Sequence, residues 1–356
     1  MNDVAPIRLR DANRPTVLGT GLIALDLVFE NAKGGAPSSW AGGTCGNVLA
    51  ILSYFGWRAL PVARLNGDEA SQRIERDLDA CGVDLRFAHL RPTAPAPVIV
   101  QRIHRTPAGQ VSHRFSLCCP RCGAWFPSFR PVPLRPLDVV ELESPSASVF
   151  FADRAFPGSL RLARTAKALG ALIVFEPSGI GLPRHFEEMV ALADVLKYSR
   201  ERLPSLGGPA APNGVLLEIQ TLGASGVRFR TSLPRCDSGG WNHMDAFEVT
   251  DIRDAAGSGD WCTAGILHTL GRGGRVAFLR SSRLQIHQAL RFGQALASWN
   301  CRFVGARGGM YVTSARACLE NARAISRGKH APSARSVQLD AATSAVLSKI
   351  CSHCTR

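Results

Sequence analysis

The stretch Asp254-Ala255-Ala256-Gly257-Ser258-Gly259-Asp260, running straight into the apolar Trp261-Cys262-Thr263-Ala264-Gly265-Ile266-Leu267, constrains this chain more than any other. Residues 256 to 259 carry no bulky side chain, so their backbone N–H groups can approach an anion closely. The helix that follows adds its unpaired first-turn amides and its positive dipole end. A carboxylate in that first turn, Asp260, would face whatever the amides hold. A hydroxyl is a poor nucleophile until a base takes its proton, and the amides can carry the charge that develops on a transferring phosphoryl group. Taken alone, the segment also reads as a plain tight turn between strand and helix.

A second glycine turn opens a second apolar helix. Gly42-Gly43-Thr44-Cys45-Gly46-Asn47 leads into Val48-Leu49-Ala50-Ile51-Leu52. Paired glycines permit close backbone approach to a ligand, and Asn47 offers a donor and an acceptor to hydroxyls, or caps the helix. Upstream, Val17 to Asp26 reads as one buried strand with the acid at its far end, the end that faces ligands in a parallel sheet. A solvated loop aspartate is the alternative for Asp26.

The two glycine segments resemble the D-T-x-G-A-G-D and G-G-x-x-x-N signatures of the ribokinase-like (PfkB) carbohydrate and nucleoside kinases, with Ala255 for the usual Thr and Ser258 for the usual Ala. Further landmarks follow in the family's order: Asn66-Gly67-Asp68, Gly82-Val83-Asp84, Glu176-Pro177-Ser178, Thr221-Leu222-Gly223-Ala224-Ser225-Gly226, and a late helix ending in Gly305-Ala306. The resemblance covers about residues 16 to 312. It implies an ATP-dependent kinase acting on a hydroxyl of a sugar, sugar phosphate or nucleoside-like molecule. Asp260 would be the base, with Gly257, Ser258 and Gly259 as the anion cradle. Asp26, Gly42, Gly43 and Asn47 would hold the acceptor, and Gly223, Gly226 and Asn300 would lie near the nucleotide. Asp254 would adjoin a monovalent-cation site.

The family's magnesium-organising N-x-x-E segment is altered here to Ser199-Arg200-Glu201-Arg202. Glu201 could substitute from one residue earlier, or be a solvated glutamate at a helix start. Mg²⁺ remains an expected cofactor because it keeps several waters and is bound largely by nucleotide phosphates.

A coarse reading alternates strands (16–23, 97–104, 148–152, 171–175, 194–197, 214–220, 226–230) with helices (45–55, 69–81, 158–169, 260–271, 284–303). That pattern predicts an α/β fold with a parallel sheet covered by helices, and the resemblance implies a ribokinase-like parallel-sheet sandwich with a small β lid, to which this chain adds a Cys-rich knuckle. The expected organisation is an N-terminal extension 1–15, a kinase domain 16–312 and a C-terminal appendage 313–356. Lid pieces fall near 27–41 and 87–117, with a knuckle insertion near 118–136. A homodimer paired through the lid is a further expectation.

With 46% hydrophobic residues, the 356-residue chain can bury a large core. It shows neither a signal-like apolar start nor a bilayer-length apolar run, so no membrane partner and a cytoplasmic location are expected. The net charge of +14 comes largely from scattered arginines that suit polyanions such as ATP, and no nucleic-acid motif with stacking aromatics accompanies it. The reading from a different class is a catalytically idle, zinc-stabilised regulatory or nucleic-acid-binding protein on the same fold.

Cys119-Pro120-Arg121-Cys122-Gly123 and Cys351-Ser352-His353-Cys354 form two C-x-x-C pairs. Their four thiolates suit one structural Zn²⁺, the spacing letting both sulfurs of each knuckle point at one ion. Unliganded thiols and redox or disulfide chemistry are the alternatives. Cys118 could replace Cys119, and His113 or His353 could supply nitrogen. Cys45, Cys81, Cys236, Cys262, Cys301 and Cys318 occur singly and read as small buried hydrophobes.

Overall fold

The computed structural model describes residues 14–30, 37–90, 95–106, 111–143, 146–206, 208, 211–236, 240–329 and 345–354. Almost all of the expected extension 1–15, the middle of the first lid piece and much of the appendage lie outside the described residues.

The apolar runs flagged in the sequence form the centre of an eight-stranded sheet ordered β12-β11-β10-β9-β8-β7-β1-β4. Its strands are β1 (Thr16–Thr20), β4 (Arg58–Val62), β7 (Val149–Ala152), β8 (Leu172–Phe175), β9 (Val195–Ser199), β10 (Leu217–Thr221), β11 (Val227–Thr231) and β12 (Asn242–Met244). From β4 to β10 all neighbours are parallel. Strands β7 and β8 are buried at every position, as central parallel strands covered on both faces must be. The β10–β11 connection departs from the parallel pattern: Leu222 to Gly226 close a tight turn, so β11 and β12 run antiparallel at the edge.

Helices cover both faces of this sheet. They include α1 (Thr44–Tyr54), α2 (Glu69–Ala80), α3 (Leu137–Glu143), α4 (Pro157–Ala168), α5 (Pro183–Leu192), α6 (Ser258–Leu270), α7 (Gly274–Leu279), α8 (Arg283–Asn300), α9 (Ala315–Ser326) and α10 (Ala345–Ile350). Helices α1 and α6 are buried along most of their length, hence their nearly unbroken apolar sequence. Among the described residues no helix is long and apolar enough to cross a membrane.

A second, four-stranded sheet forms the lid in the order β3-β2-β5-β6, from β2 (Ala24–Phe29), β3 (Ser38–Gly42), β5 (Val98–Arg105) and β6 (Val111–Ser116). Here the expectation of one strand from Val17 to Asp26 is corrected. Strand β1 ends at Thr20, the chain turns at Gly21, and Asp26 lies on β2 in the lid, opposite Trp40 and Ile99. The break is fixed by the buried Asp153 carboxylate, which accepts the Leu22 N–H at 2.9 Å and the Cys45 N–H at 3.1 Å.

One buried ion pair locks the lid to the helical layer. Arg307, 2% exposed, donates to Asp77 on α2 at 2.7 Å and to the Ala41 carbonyl on β3 at 2.6 Å. Asp77 also accepts the Ala41 N–H and the Tyr311 hydroxyl. Removing one partner of such a pair strands the other without its counter-charge. Arg307→Met should therefore lower unfolding free energy by about 3 kcal/mol. A urea midpoint matching wild type at equal slope would show that the clamp contributes nothing.

Candidate active site

Two glycine turns place two helix N-termini at one point. Gly43 precedes α1 with φ 79° and Gly257 precedes α6 with φ 74°, values that an L side chain rarely adopts. Neither position has room for one: a Cβ at Gly43 would lie 2.4 Å from the Leu22 carbonyl oxygen, and one at Gly257 would lie 2.2 Å from that of Ala306. The sequence thus brings both turns against neighbouring backbone. Gly43, Thr44 and Asn47 at the start of α1 and Gly257 to Asp260 at the start of α6 line one cleft, while the Cys45 and Gly46 N–H groups of α1 are held by Asp153 and the Leu22 carbonyl.

That cleft has a volume of about 1770 Å³ and runs between the lid and the carboxyl ends of the parallel strands, where open α/β sheets bind ligands. Asp26, Gly43, Asn47, Gly223, Gly226, Gly257, Ser258, Gly259, Asp260 and Glu201 all line it. Asn47 donates to Asp260 Oδ2 at 2.7 Å, joining the two helix starts directly. Among the described residues, Asn47 Oδ1 and Asp26 Oδ1 are buried without a protein partner, two acceptors available to hydroxyl donors.

Burial governs the charge state of this end. Asp260 is pushed up to about 7, first by burial and then by the nearby Glu176 carboxylate, against the hydrogen bond from Asn47. Asp26 is also pushed up to about 7 by burial, which outweighs the opposing Arg307; Asp260 adds to the rise. A carboxylate poised near neutrality suits proton abstraction.

Three expected residues take other positions. Asn300 is fully buried, donates to the Ala306 carbonyl at 3.0 Å and accepts the Gly309 N–H at 3.2 Å, so it shapes the turn after α8 and does not line the cleft. Asp254 is likewise fully buried. Its oxygens accept the Ala256 N–H at 2.9 Å, the Gly305 N–H at 3.0 Å and the Gln101 side-chain amide at 2.7 Å. With N–H donors on both oxygens, Asp254 anchors the cradle and the lid. Gly42 sits in β3, where a Cβ would lie 2.0 Å from Asp26 Oδ2, so its bare Cα makes room for that carboxylate.

The sequence reading missed several cleft residues. Lys197, nearly fully buried, pairs with Glu176, whose other oxygen accepts the Thr263 hydroxyl; Lys197 also donates to the Gly259 carbonyl at 3.2 Å. This network braces the first turn of α6 from beneath. Arg154, Arg200 and Arg202 line the cleft with positive charge. Phe247, Val249, Ile252, Ala297 and Cys301 give its other end an apolar lining. The signal for Asp153-Arg154 and Glu176 was their place just past buried parallel strands.

Neither a protein-family model nor a curated protein matches the chain. Solved structures do match its fold. Ribokinase from Arabidopsis thaliana, complexed with ribose and ATP, is 19% identical with a TM-score of 0.60, over 87% of this chain and 99% of that one. Aminoimidazole riboside kinase from Salmonella enterica, complexed with aminoimidazole riboside and an ATP analogue, is 20% identical with a TM-score of 0.63, over 86% and 99%. Fructokinase from Xylella fastidiosa with bound ATP is 22% identical with a TM-score of 0.61, over 82% and 93%. The chain therefore has the ribokinase-like α/β fold that these kinases share.

Proposed function

We propose that this protein is an ATP-dependent phosphotransferase that passes the γ-phosphate to a hydroxyl of a sugar, sugar phosphate or nucleoside-like small molecule. The observation that carries the reading is the placement of Asp260 in the first turn of α6, beside the Gly257–Gly259 amides and in contact with Asn47 from α1. Base, anion cradle and hydroxyl-binding groups meet in one cleft. Two of the solved kinases named above hold ribose or aminoimidazole riboside together with ATP or an ATP analogue, which supports the same pairing here.

In this reading Asp26 and Asn47 accept hydrogen bonds from acceptor hydroxyls and fix the reacting oxygen near Asp260. The carboxylate takes the hydroxyl proton as the oxygen attacks the γ-phosphorus and the bond from that phosphorus to the bridging oxygen breaks, releasing ADP. The amides of Gly257, Ser258 and Gly259 hold the equatorial oxygens as charge spreads over them. Gly223, Gly226 and the apolar residues around Phe247 receive the nucleotide, and Arg154, Arg200 and Arg202 balance its phosphate charge. Glu201 is the acidic residue of the β9 loop that lines the cleft, and it would share Mg²⁺ with phosphates and water. That ion would supply charge neutralisation on the nucleotide. The lid can exclude water from the reacting groups.

The direct test is a panel of sugars, sugar phosphates and nucleosides incubated with ATP and Mg²⁺ and scored for phosphorylated product. Nucleotide binding with no product from any acceptor would favour the idle regulatory reading. On the acceptor that scores, Asp260→Asn should bind ATP normally and lose about 10² to 10⁴ in kcat, because an amide cannot take the proton. Unchanged turnover would remove Asp260 from the mechanism.

The raised carboxyls give a signed pH prediction. Below about 7 the acid form of Asp260 dominates and cannot serve as base, so kcat/KM should climb with pH and level off above about 7. A profile flat across about pH 6 to 8 would contradict this assignment.

Alanine at Asp26 or Asn47 should raise the acceptor KM or lower its kcat/KM while leaving ATP affinity nearly constant. A defect mainly in ATP affinity would move these residues to the nucleotide side.

A further inference from the structure

The two C-x-x-C pairs, far apart in sequence, meet in space. The sulfurs of Cys119, Cys122, Cys351 and Cys354 all lie within 4.8 Å of one another. Cys119 Sγ is 3.7 Å from Cys354 Sγ, and Cys122 Sγ is 3.6 Å from Cys351 Sγ. Thiolates at about 2.3 Å from a tetrahedral zinc ion are separated by about 3.8 Å. A disulfide would require about 2.05 Å. The set is the four C-x-x-C cysteines: Cys118 instead pairs with Trp125 at the cleft wall, and His113 faces Asp254 at 3.7 Å.

Each pair is built as a knuckle. The Gly123 N–H returns to the Cys119 carbonyl at 2.9 Å, and the Cys354 N–H to that of Cys351 at 3.0 Å. Cys119 and Cys351 are buried in the main core, whereas Cys122 is exposed, so the centre sits at the surface with its inner half fixed. Four soft sulfurs in tetrahedral reach suit Zn²⁺, and a set complete without solvent marks a structural site.

The first knuckle is the tip of a short hairpin that continues β6. The Cys119 N–H bonds the Ala124 carbonyl at 2.7 Å, Cys118 bridges Trp125, and the Phe126 N–H bonds the Leu117 carbonyl at 2.7 Å. The side of this hairpin toward the cleft presents Leu117, Cys118 and Trp125, following Phe115 and His113 of the lid. Trp125 is 76% exposed, an aromatic face of the kind that stacks on a ligand. The second knuckle follows α10, which packs on α2, the helix held by Arg307. A metal at the tip would tie the cleft wall to the helical layer through the C-terminal segment.

We propose that Cys119, Cys122, Cys351 and Cys354 form a tetrathiolate zinc site that staples the C-terminal segment to the hairpin after the lid and thereby holds the Leu117–Cys118–Trp125 wall of the cleft in place. The proposal concerns the metal and the wall alone and does not rest on the kinase reading. Its test uses no turnover, so a chain that phosphorylates nothing can still pass it.

Full-length protein purified under reducing, chelator-free conditions should contain about one zinc per chain by elemental analysis. Its cobalt-substituted form should show the intense absorption of a tetrahedral tetrathiolate. Hydrogen exchange is then compared in zinc-loaded protein, in protein stripped with an organomercurial, and in the Cys351→Ser/Cys354→Ser variant. Loss of zinc should speed exchange in residues 117–126 and 345–354 by about an order of magnitude and leave residues 217–231 unchanged. Should the variant fail to fold, reversal of the effect by re-adding zinc to stripped wild-type protein gives the same reading. Trp125→Ala should keep full zinc content. Absence of metal with four reactive thiols, or a disulfide between the pairs, would overturn the site. Zinc loss that leaves residues 117–126 unaltered would overturn the staple.

Discussion

The hydrogen bond from Asn47 to Asp260 joins residues 213 apart, and the geometry of the cleft depends on it. It forms because two apolar helices, each opened by a glycine turn with no space for a side chain, end against the same edge of the parallel sheet. A buried bond to a charged acceptor contributes about 1.5 to 3 kcal/mol. Its larger effect is positional. It holds the proposed base, the amide cradle and the proposed hydroxyl-binding side chain at one place.

Buried carboxylates organise the surroundings of that bond. Asp153 ties the β1–β2 turn to the start of α1, Asp254 ties the cradle to the lid through Gln101, and Asp77 ties β3 to Arg307. Each links segments distant in sequence, and each has its charge met by N–H donors or a guanidinium. Asp26 and Asp260 differ. They keep fewer donors and face the open cleft; burial raises them to about 7, as it raises Asp153 to about 6. The well-bonded acids hold the frame, and the under-bonded ones are those the proposed chemistry uses.

The cysteine cluster extends the same logic to the outer wall. Its hairpin carries an exposed tryptophan beside the cleft and draws little support from the small lid sheet, whose β6 is largely exposed. The proposed zinc cross-link from the C-terminal segment would supply rigidity that so little apolar burial could not.

The sequence by itself determined the parts that are built locally. The cradle at Gly257–Asp260, the turn at Gly42–Asn47 and both cysteine knuckles are contiguous, so residue type and spacing already encode their geometry. Alternating apolar runs likewise gave the α/β class, because burial on both sheet faces leaves that pattern in the chain. Tertiary structure alone decided where distant pieces meet. The turn at Gly21 that sends Asp26 into the lid follows from a bond to Asp153, and the inward turn of Asn300 follows from carbonyl and amide partners in the loop after α8. The donors that occupy Asp254 come from the lid and a later turn, and the support beneath Asp260 comes from Lys197 on β9 and Glu176 just past β8. A buried polar group takes whichever partner the packing brings, and that choice spans separations over which the local sequence carries no spacing signal.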